Sequence, residues 1–287
     1  MDIIQENNNI IIENICNFSL DQTLECGQCF RWENIENKYY GIVKNKKTCV
    51  YEHNNKLIFE DTSLEDFNNL WRNYFDLDRD YSEIVEDLSR NNNIIKNILK
   101  ECYGIRILNQ DPWETLCSFI ISQNNNIPRI KKIVSSLCEN FGEKIDEDNY
   151  SFPSPEIICK LTERDLDIIK AGFRNKYILS AAECVVNKTV DFDEIRRLKI
   201  LKAEEILTKI KGVGPKISQC VLLYAFHRLN AFPIDVWINK IMHKYFRGET
   251  RKSFGKYAGV AQQYLYYYYS IILRKKQENT IEIFYFD

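Results

Sequence analysis

The sequence predicts an α+β protein in which an N-terminal antiparallel β-sheet domain is followed by two mostly α-helical lobes. Residues 27–61 contain short β-branched and aromatic runs separated by Asn and Lys turns, whereas longer segments of helical apolar spacing fill the chain from Leu64 onward. A Gly-Val-Gly turn at 212–214 between two of these segments predicts a helix-hairpin-helix motif. We expect the β-sheet domain to span residues 1–105, and the two helical lobes to span 106–200 and 201–287.

The composition is that of a globular protein with its own core. The chain has 287 residues, 45% of them hydrophobic and 28% charged, and a core of that size needs no metal or disulfide support. No run approaches the roughly 18 consecutive apolar residues of a membrane span. Met1 is followed by Asp2 and Glu6 rather than by a basic and then apolar signal segment. These features predict a cytoplasmic protein that does not use a membrane.

Ten cysteines raise the question of disulfides or a zinc site. Only Cys26 and Cys29 stand as a C-x-x-C pair, and no second pair lies at metal-ligand spacing. We therefore expect reduced thiols, no metal and no cofactor.

In the N-terminal domain, runs at 39–43, 49–51 and 56–59 predict strands of an antiparallel meander. Ser63 is placed to cap the first helical segment, which begins at Leu64.

Cap and stop signals predict the helices that follow. Asp111-Pro112 opens a helix over 113–122, and a second helix covers Ile127–Phe141 with Gly142 as its stop. Ser154-Pro155 and Thr162, which lies ahead of Asp165, predict the starts of two short helices.

The segment 206–225 is the most informative part of the chain. One helix is expected to end at Lys211, Gly212 and Gly214 to form the hairpin, and a second helix to begin near Pro215. Two glycines allow close approach of a phosphate, and the free N–H groups at the start of the second helix favour an anion. The pattern predicts sequence-independent DNA binding, although a Gly-x-Gly turn between two core helices would look similar.

The charge distribution agrees with a nucleic-acid partner more than the net charge of −2 does. Residues 1–100 contain 11 Lys and Arg against 18 Asp and Glu, whereas residues 201–256 contain 11 against 4. We expect a phosphate backbone to lie along the basic region. A solvated helical face is the alternative interpretation of the same charges.

Two charged residues follow the hairpin. Lys216 lies on the first turn of the second helix, and Asp235 follows Pro233 where another helix is expected to start. Alone, Lys216 would be a surface charge and Asp235 a helix N-cap. Together they resemble the G-V-G-x-K…P-x-D motif of the helix-hairpin-helix glycosylase superfamily, specifically its 8-oxoguanine DNA glycosylase/lyase branch, and the spacing of 19 residues between Lys216 and Asp235 is that of the family.

The resemblance covers residues 18–270 and implies a bifunctional enzyme of base excision repair. In the family the lysine is an amine nucleophile that forms a Schiff base at C1′ of the deoxyribose, and the aspartate stabilises the positive charge of the transition state. Family members without this lysine use water and stop at the abasic site. No cysteine follows Cys220, which excludes the four-thiolate iron–sulfur loop that some DNA glycosylases carry behind this motif.

The resemblance also implies residues that recognise the flipped base. Gly27, in the segment GQCFRW, matches the glycine whose carbonyl accepts the N7–H of 8-oxoguanine. Gln262 matches the glutamine that reads the Watson–Crick edge, while Tyr266 and Cys220 match the groups that stack on the two faces. Pro233 belongs to the same pocket. Taken alone, Gly27 would be a β-turn glycine.

A further set is implied to contact DNA outside the pocket. Asn124 matches the residue that fills the gap left by the flipped base, and Arg129 the arginine that reads the orphaned cytosine. Phe173 stands where the family has a tyrosine wedge, and Arg174 where it has a second cytosine-reading arginine. Without the resemblance, the Asn run would be a polar loop and helix cap.

Two substitutions depart from the eukaryotic pattern of the family. Trp237 replaces a histidine that contacts phosphate, and Tyr269 replaces an aspartate that partners it, which puts that phosphate contact in doubt.

The expected partner is double-stranded DNA that contains 8-oxoguanine opposite cytosine, bound by a monomer at the bacterial or archaeal nucleoid. Two alternatives remain open. Excision of alkylated bases, or of adenine opposite the lesion, would keep Asp235 without needing Lys216. A non-catalytic helix-hairpin-helix module would bind DNA without releasing a base.

Overall fold

The computed structural model describes residues 1–246 and 251–273. The end of the predicted third domain, at 274–287, lies outside these ranges, as do Arg247 and Glu249 of the basic region. A six-stranded antiparallel sheet comes first and helices follow, which confirms the predicted fold class. The strands are β1 (Asp2–Glu6), β2 (Asn9–Glu13), β3 (Trp32–Ile35), β4 (Lys38–Val43), β5 (Lys46–His53) and β6 (Lys56–Glu60).

The strand order is β1-β2-β6-β5-β4-β3, so the predicted meander forms half of a wider sheet. The β1–β2 hairpin, which turns at Asn7 with a positive φ of 53°, was not predicted from the sequence. Ile10 and Ile12 of β2 are fully buried and pair in register with Phe59 and Leu57 of β6. The added hairpin therefore extends the apolar face that packs on the helices.

Helices make up most of the described chain after residue 62. The α-helices are α1 (Leu20–Glu25), α2 (Leu64–Asp66), α3 (Arg72–Tyr74), α4 (Tyr81–Asn91), α5 (Asn93–Ile98), α6 (Pro112–Ile121), α7 (Ile127–Phe141), α8 (Pro155–Ile158), α9 (Asn175–Val186), α10 (Phe192–Arg197), α11 (Ile200–Leu207), α12 (Pro215–Tyr224), α13 (Val236–Tyr245) and α14 (Ala258–Tyr267). Segments of π-helix lie at Phe67–Trp71 and Tyr268–Ile272, and 3-10 helices lie at Asp165–Ile169, Gly172–Arg174 and Arg251–Tyr257.

Local capping explains where the predicted helices begin and end. Asp111 caps α6, and its Oδ1 accepts from the backbone N–H groups of Trp113 and Glu114, both at 2.9 Å. Asn126 caps α7 in the same way, and that helix stops before Gly142 as expected. The Asn tract lies between these two helices.

The pattern at Thr162 and Asp165 starts a short helix as predicted, a 3-10 helix over Asp165–Ile169. One predicted bound was wrong, because the first helix of the hairpin motif ends at Leu207 rather than at Lys211. The Thr208 hydroxyl lies within hydrogen-bond distance of the carbonyls of residues 204 and 205, and the next N–H groups bond three residues back, which tightens the chain into turns.

The buried residues form two hydrophobic clusters, one behind the sheet and one among the helices. The segment 26–32 joins them, because Cys26 and Phe30 belong to the helical cluster and Cys29 and Trp32 to the sheet cluster. Gly27 is therefore held between the two cores. Within the described ranges, no helix has both the length and the apolarity to cross a bilayer.

Candidate active site

A cavity of about 450 Å³ lies among the helices and brings together eight of the residues singled out from the sequence. They are Gly27, Lys216, Cys220, Pro233, Asp235, Trp237, Gln262 and Tyr266. These residues come from four separate parts of the chain, and the volume is in the range of small-molecule sites.

Lys216 is half-buried on the first turn of α12. Its Nζ lies 3.3 Å from Oγ of Ser122 and 5.2 Å from the ring centroid of Phe119. The Ser122 hydroxyl donates its own proton to the Phe119 carbonyl at 2.8 Å, so its oxygen is left to accept from the lysine. The amine is thus held against the end of α6.

Asp235 is the N-cap of α13, and its Oδ1 accepts from the Ile238 N–H at 2.7 Å. The segment before it is fixed by a residue that was not predicted from the sequence. Buried Gln219 accepts from the Phe232 N–H at 2.9 Å and donates to Glu204 at 2.7 Å. The signal that could have identified Gln219 in the sequence is its polar side chain on an apolar face of the helix.

The cavity wall also contains Gly27, which has a positive φ of 77°. A Cβ at this position would lie 3.5 Å from both the Tyr266 ring and the Ile127 side chain, so a larger residue would narrow the cavity. Gln28, also missed from the sequence, is fully buried and holds this loop. Its amide donates to the Thr23 carbonyl at 2.8 Å and accepts from the Leu108 N–H at 3.0 Å.

Cys220, Gln262 and Gln263 form one buried part of the cavity wall. Burial raises the pKa of the Cys220 thiol to about 11, so the thiol is uncharged at neutral pH. Gln262 is 4% exposed, and its Oε1 accepts from the Gln263 amide at 3.3 Å. Gln263 also donates to the Tyr224 hydroxyl. This part of the wall is therefore polar but uncharged.

An open groove of about 790 Å³ adjoins the cavity. Asn124 and Phe173 line the groove, and Phe173 is half exposed. Five residues line both spaces: Ser122, Asn125, Lys216, Asp235 and Trp237. The lysine and the aspartate therefore stand where the cavity meets the more open groove.

The two predicted cytosine-reading arginines differ in their surroundings, and neither lines the cavity or the groove. Arg129 is exposed, and its guanidinium makes a long contact, 3.4 Å, with the Lys170 carbonyl. Arg174 is buried and donates to the carbonyls of Gln123, Asn124 and Ala171. Burial, together with nearby Arg129, lowers the pKa of Arg174.

The hairpin glycines also lie outside the cavity and serve different purposes. Gly212 has a φ of 84°, and a Cβ there would lie 2.4 Å from the Tyr177 ring. A Cβ at Gly214 would meet no atom of the described residues within 4 Å, so this position is open to a ligand. Gly214 is the N-cap of α12 and supplies no side-chain acceptor to its first N–H groups.

All ten cysteines are free thiols. Among the described residues, no group of three or more His, Cys, Asp or Glu side chains is arranged to hold a metal ion.

Comparison with known proteins finds similarity along most of the chain. Residues 10–116 match the model of the 8-oxoguanine DNA glycosylase N-terminal domain, and residues 117–258 match that of the HhH-GPD superfamily of base excision DNA repair proteins. An N-glycosylase/DNA lyase of Saccharomyces cerevisiae is 37% identical over 165 residues, which cover 52% of this chain and 44% of that protein. The match spans about half the length of the first curated relatives.

Solved structures extend the similarity. The apo form of the Clostridium acetobutylicum 8-oxoguanine glycosylase/lyase has a TM-score of 0.88 and 38% identity, and the match covers 93% of this chain and 98% of that one. The same enzyme in complex with double-stranded DNA containing cytosine opposite 8-oxoguanine has a TM-score of 0.88 and 37% identity, with 93% and 97% covered.

Proposed function

Because the chain belongs to the 8-oxoguanine DNA glycosylase family, we propose that it excises 8-oxoguanine paired with cytosine and then cleaves the abasic strand. The observation that carries this proposal is the position of Lys216 and Asp235, which line both the cavity and the groove. A base flipped into the cavity from DNA in the groove would bring its deoxyribose to these two side chains.

The first step is cleavage of the bond between C1′ and N9. The bonding electrons leave with the base, and positive charge builds on C1′ and the ring oxygen of the sugar. The Asp235 carboxylate stabilises that charge from its fixed place at the start of α13.

In the second step, Nζ of Lys216 bonds to C1′ and loses a proton, and opening of the sugar ring gives a Schiff base. Loss of a C2′ proton then expels the 3′ phosphate by breaking the C3′–O bond, which nicks the strand 3′ to the lesion. Ser122 holds the amine at the junction where C1′ would lie.

Recognition of the base uses the cavity walls. The Gly27 carbonyl would accept the N7–H that 8-oxoguanine has and guanine lacks, and the Gln28 contacts keep that loop in place. Tyr266 and the uncharged Cys220 thiol would stack on the two faces of the base. Gln262 would read its Watson–Crick edge.

Binding to the duplex rests on the hairpin and on the exposed Arg129. The open Gly214 and the first N–H groups of α12 fit a phosphate, and Arg129 is exposed for contact with the orphaned cytosine.

The test is base release from a duplex with 8-oxoguanine opposite cytosine, together with borohydride trapping of the covalent complex. The unaltered protein should release the base and be trapped, while Lys216→Gln should lose both and keep its DNA affinity, because phosphate contacts supply most of that affinity. Trapping of Lys216→Gln at the unaltered level would contradict the role of the lysine. Binding without any base release would favour a non-catalytic module, and release of alkylated bases alone would favour the other glycosylase class.

A further inference from the structure

Three apolar side chains around Asp235 are unusually exposed. Ile234 is 51% exposed, Val236 69% and Trp237 43%, and all three line the groove. We call these three residues the apolar rim. Solvent contact of this kind next to a catalytic carboxylate indicates a surface that a partner covers.

The exposure does not come from a loosely held loop. Before the rim, the Phe232 N–H is bonded to buried Gln219 at 2.9 Å, and Pro233 is buried. Within it, Asp235 caps α13 through Ile238 at 2.7 Å. The backbone is fixed on both sides, so Ile234 and Val236 are held facing outward.

The rim is also continuous with the site already described. Trp237 lines both the cavity and the groove, and Phe173 lies on the same groove, half exposed. Lys240 Nζ lies 5.4 Å from the Trp237 ring centroid, which places a positive charge beside the rim. A partner for this surface should combine apolar faces with negative charge.

We infer that the apolar rim binds the unstacked sugar and base faces of the nucleotide next to the flipped one, on the lesion-bearing strand. This inference rests on the proposed function. An intact duplex presents phosphates on its outside, whereas an opened step exposes apolar deoxyribose and base faces beside those phosphates. The rim therefore recognises opened DNA, and it contributes binding that does not depend on salt.

The experiment compares affinity for two duplexes of one sequence, one undamaged and one with a tetrahydrofuran abasic analogue. The double variant Ile234→Thr/Val236→Thr keeps β-branched side chains but makes them polar. It should lose about tenfold in affinity for the abasic duplex and less than about twofold for the undamaged one. The slope of log affinity against log salt should stay unchanged, because no phosphate contact is removed.

Ile35→Thr/Val186→Thr is the matched control, since both residues are exposed and neither lines the cavity or the groove. It should bind both duplexes as the unaltered protein does. Equal loss on both duplexes, no loss on either, or a reduced salt slope in the rim variant would overturn the inference. Failure of the proposed function is seen separately, as absence of 8-oxoguanine release by the unaltered protein.

Discussion

The amino group of Lys216 lies 3.3 Å from the hydroxyl oxygen of Ser122, across 94 positions of sequence. That hydroxyl directs its proton to the Phe119 carbonyl, so the serine acts toward the lysine as an acceptor. The contact orients the proposed nucleophile before any DNA arrives.

Ser122→Ala should slow base release and Schiff-base trapping by about tenfold, because a hydrogen bond of this kind is worth roughly 1–2 kcal/mol. DNA affinity should not change, and Ser122→Thr, which keeps a hydroxyl, should recover most of the rate. Single-turnover kinetics measure both effects. Ser118→Ala, in the same helix, is the control, and an equal loss in that variant would show that the effect is only structural.

Asp235→Asn should separate the two roles of that side chain. Asparagine is as good an N-cap as aspartate, so the free energy of unfolding should change by less than about 0.5 kcal/mol. The rate of base release should fall by at least about a hundredfold, because the stabilising charge is lost. Thermal melting and single-turnover assays give the two numbers, and a fall in stability large enough to explain the lost activity would leave Asp235 as a cap alone.

Arg129→Ala should reduce the preference for cytosine opposite the lesion more than it reduces the rate on that pair. An arginine donates to the N3 and O2 acceptors of cytosine, whereas adenine presents a donor there, which predicts a preference of about tenfold to a hundredfold. Arg129 is exposed and its contact with Lys170 is long, so its removal should leave the fold intact. Excision rates of the unaltered protein that are equal opposite all four bases would rule out the role.

Gly212→Ala and Gly214→Ala should fail in different ways. At Gly212 the new methyl group would meet the Tyr177 ring at 2.4 Å with a positive φ, so stability should fall by about 1–3 kcal/mol. At Gly214 the methyl group meets no atom of the described chain within 4 Å, so stability should be kept while DNA affinity falls. Melting and binding titrations distinguish them, and unchanged DNA affinity in Gly214→Ala would exclude phosphate contact at that glycine.

Helix boundaries that are set by residues close to them in the sequence were predictable. The bounds of α7 follow from Asn126 and Gly142, and the start of α13 follows from Asp235. The β1–β2 hairpin was missed because Ile10, Ile11 and Ile12 form an unbroken apolar run, so the alternating burial along β2 is not visible in the sequence.

The supporting contacts of the site could not be predicted in the same way. Gln28 bonds to Leu108, Gln219 to Phe232, and Arg174 to the Asn tract some 50 positions away. Each is a long-range contact of a polar side chain, and sequence spacing carries no information about it. The motif residues were identifiable because the chemistry restricts their type and order.

The cavity wall brings together Gly27, in one of the first loops of the chain, and Tyr266, in its last described α-helix. A ribosome must therefore finish most of the polypeptide before the wall of the cavity closes. Until then, the space beside Lys216 lacks the part of its lining that Gly27 and Tyr266 supply.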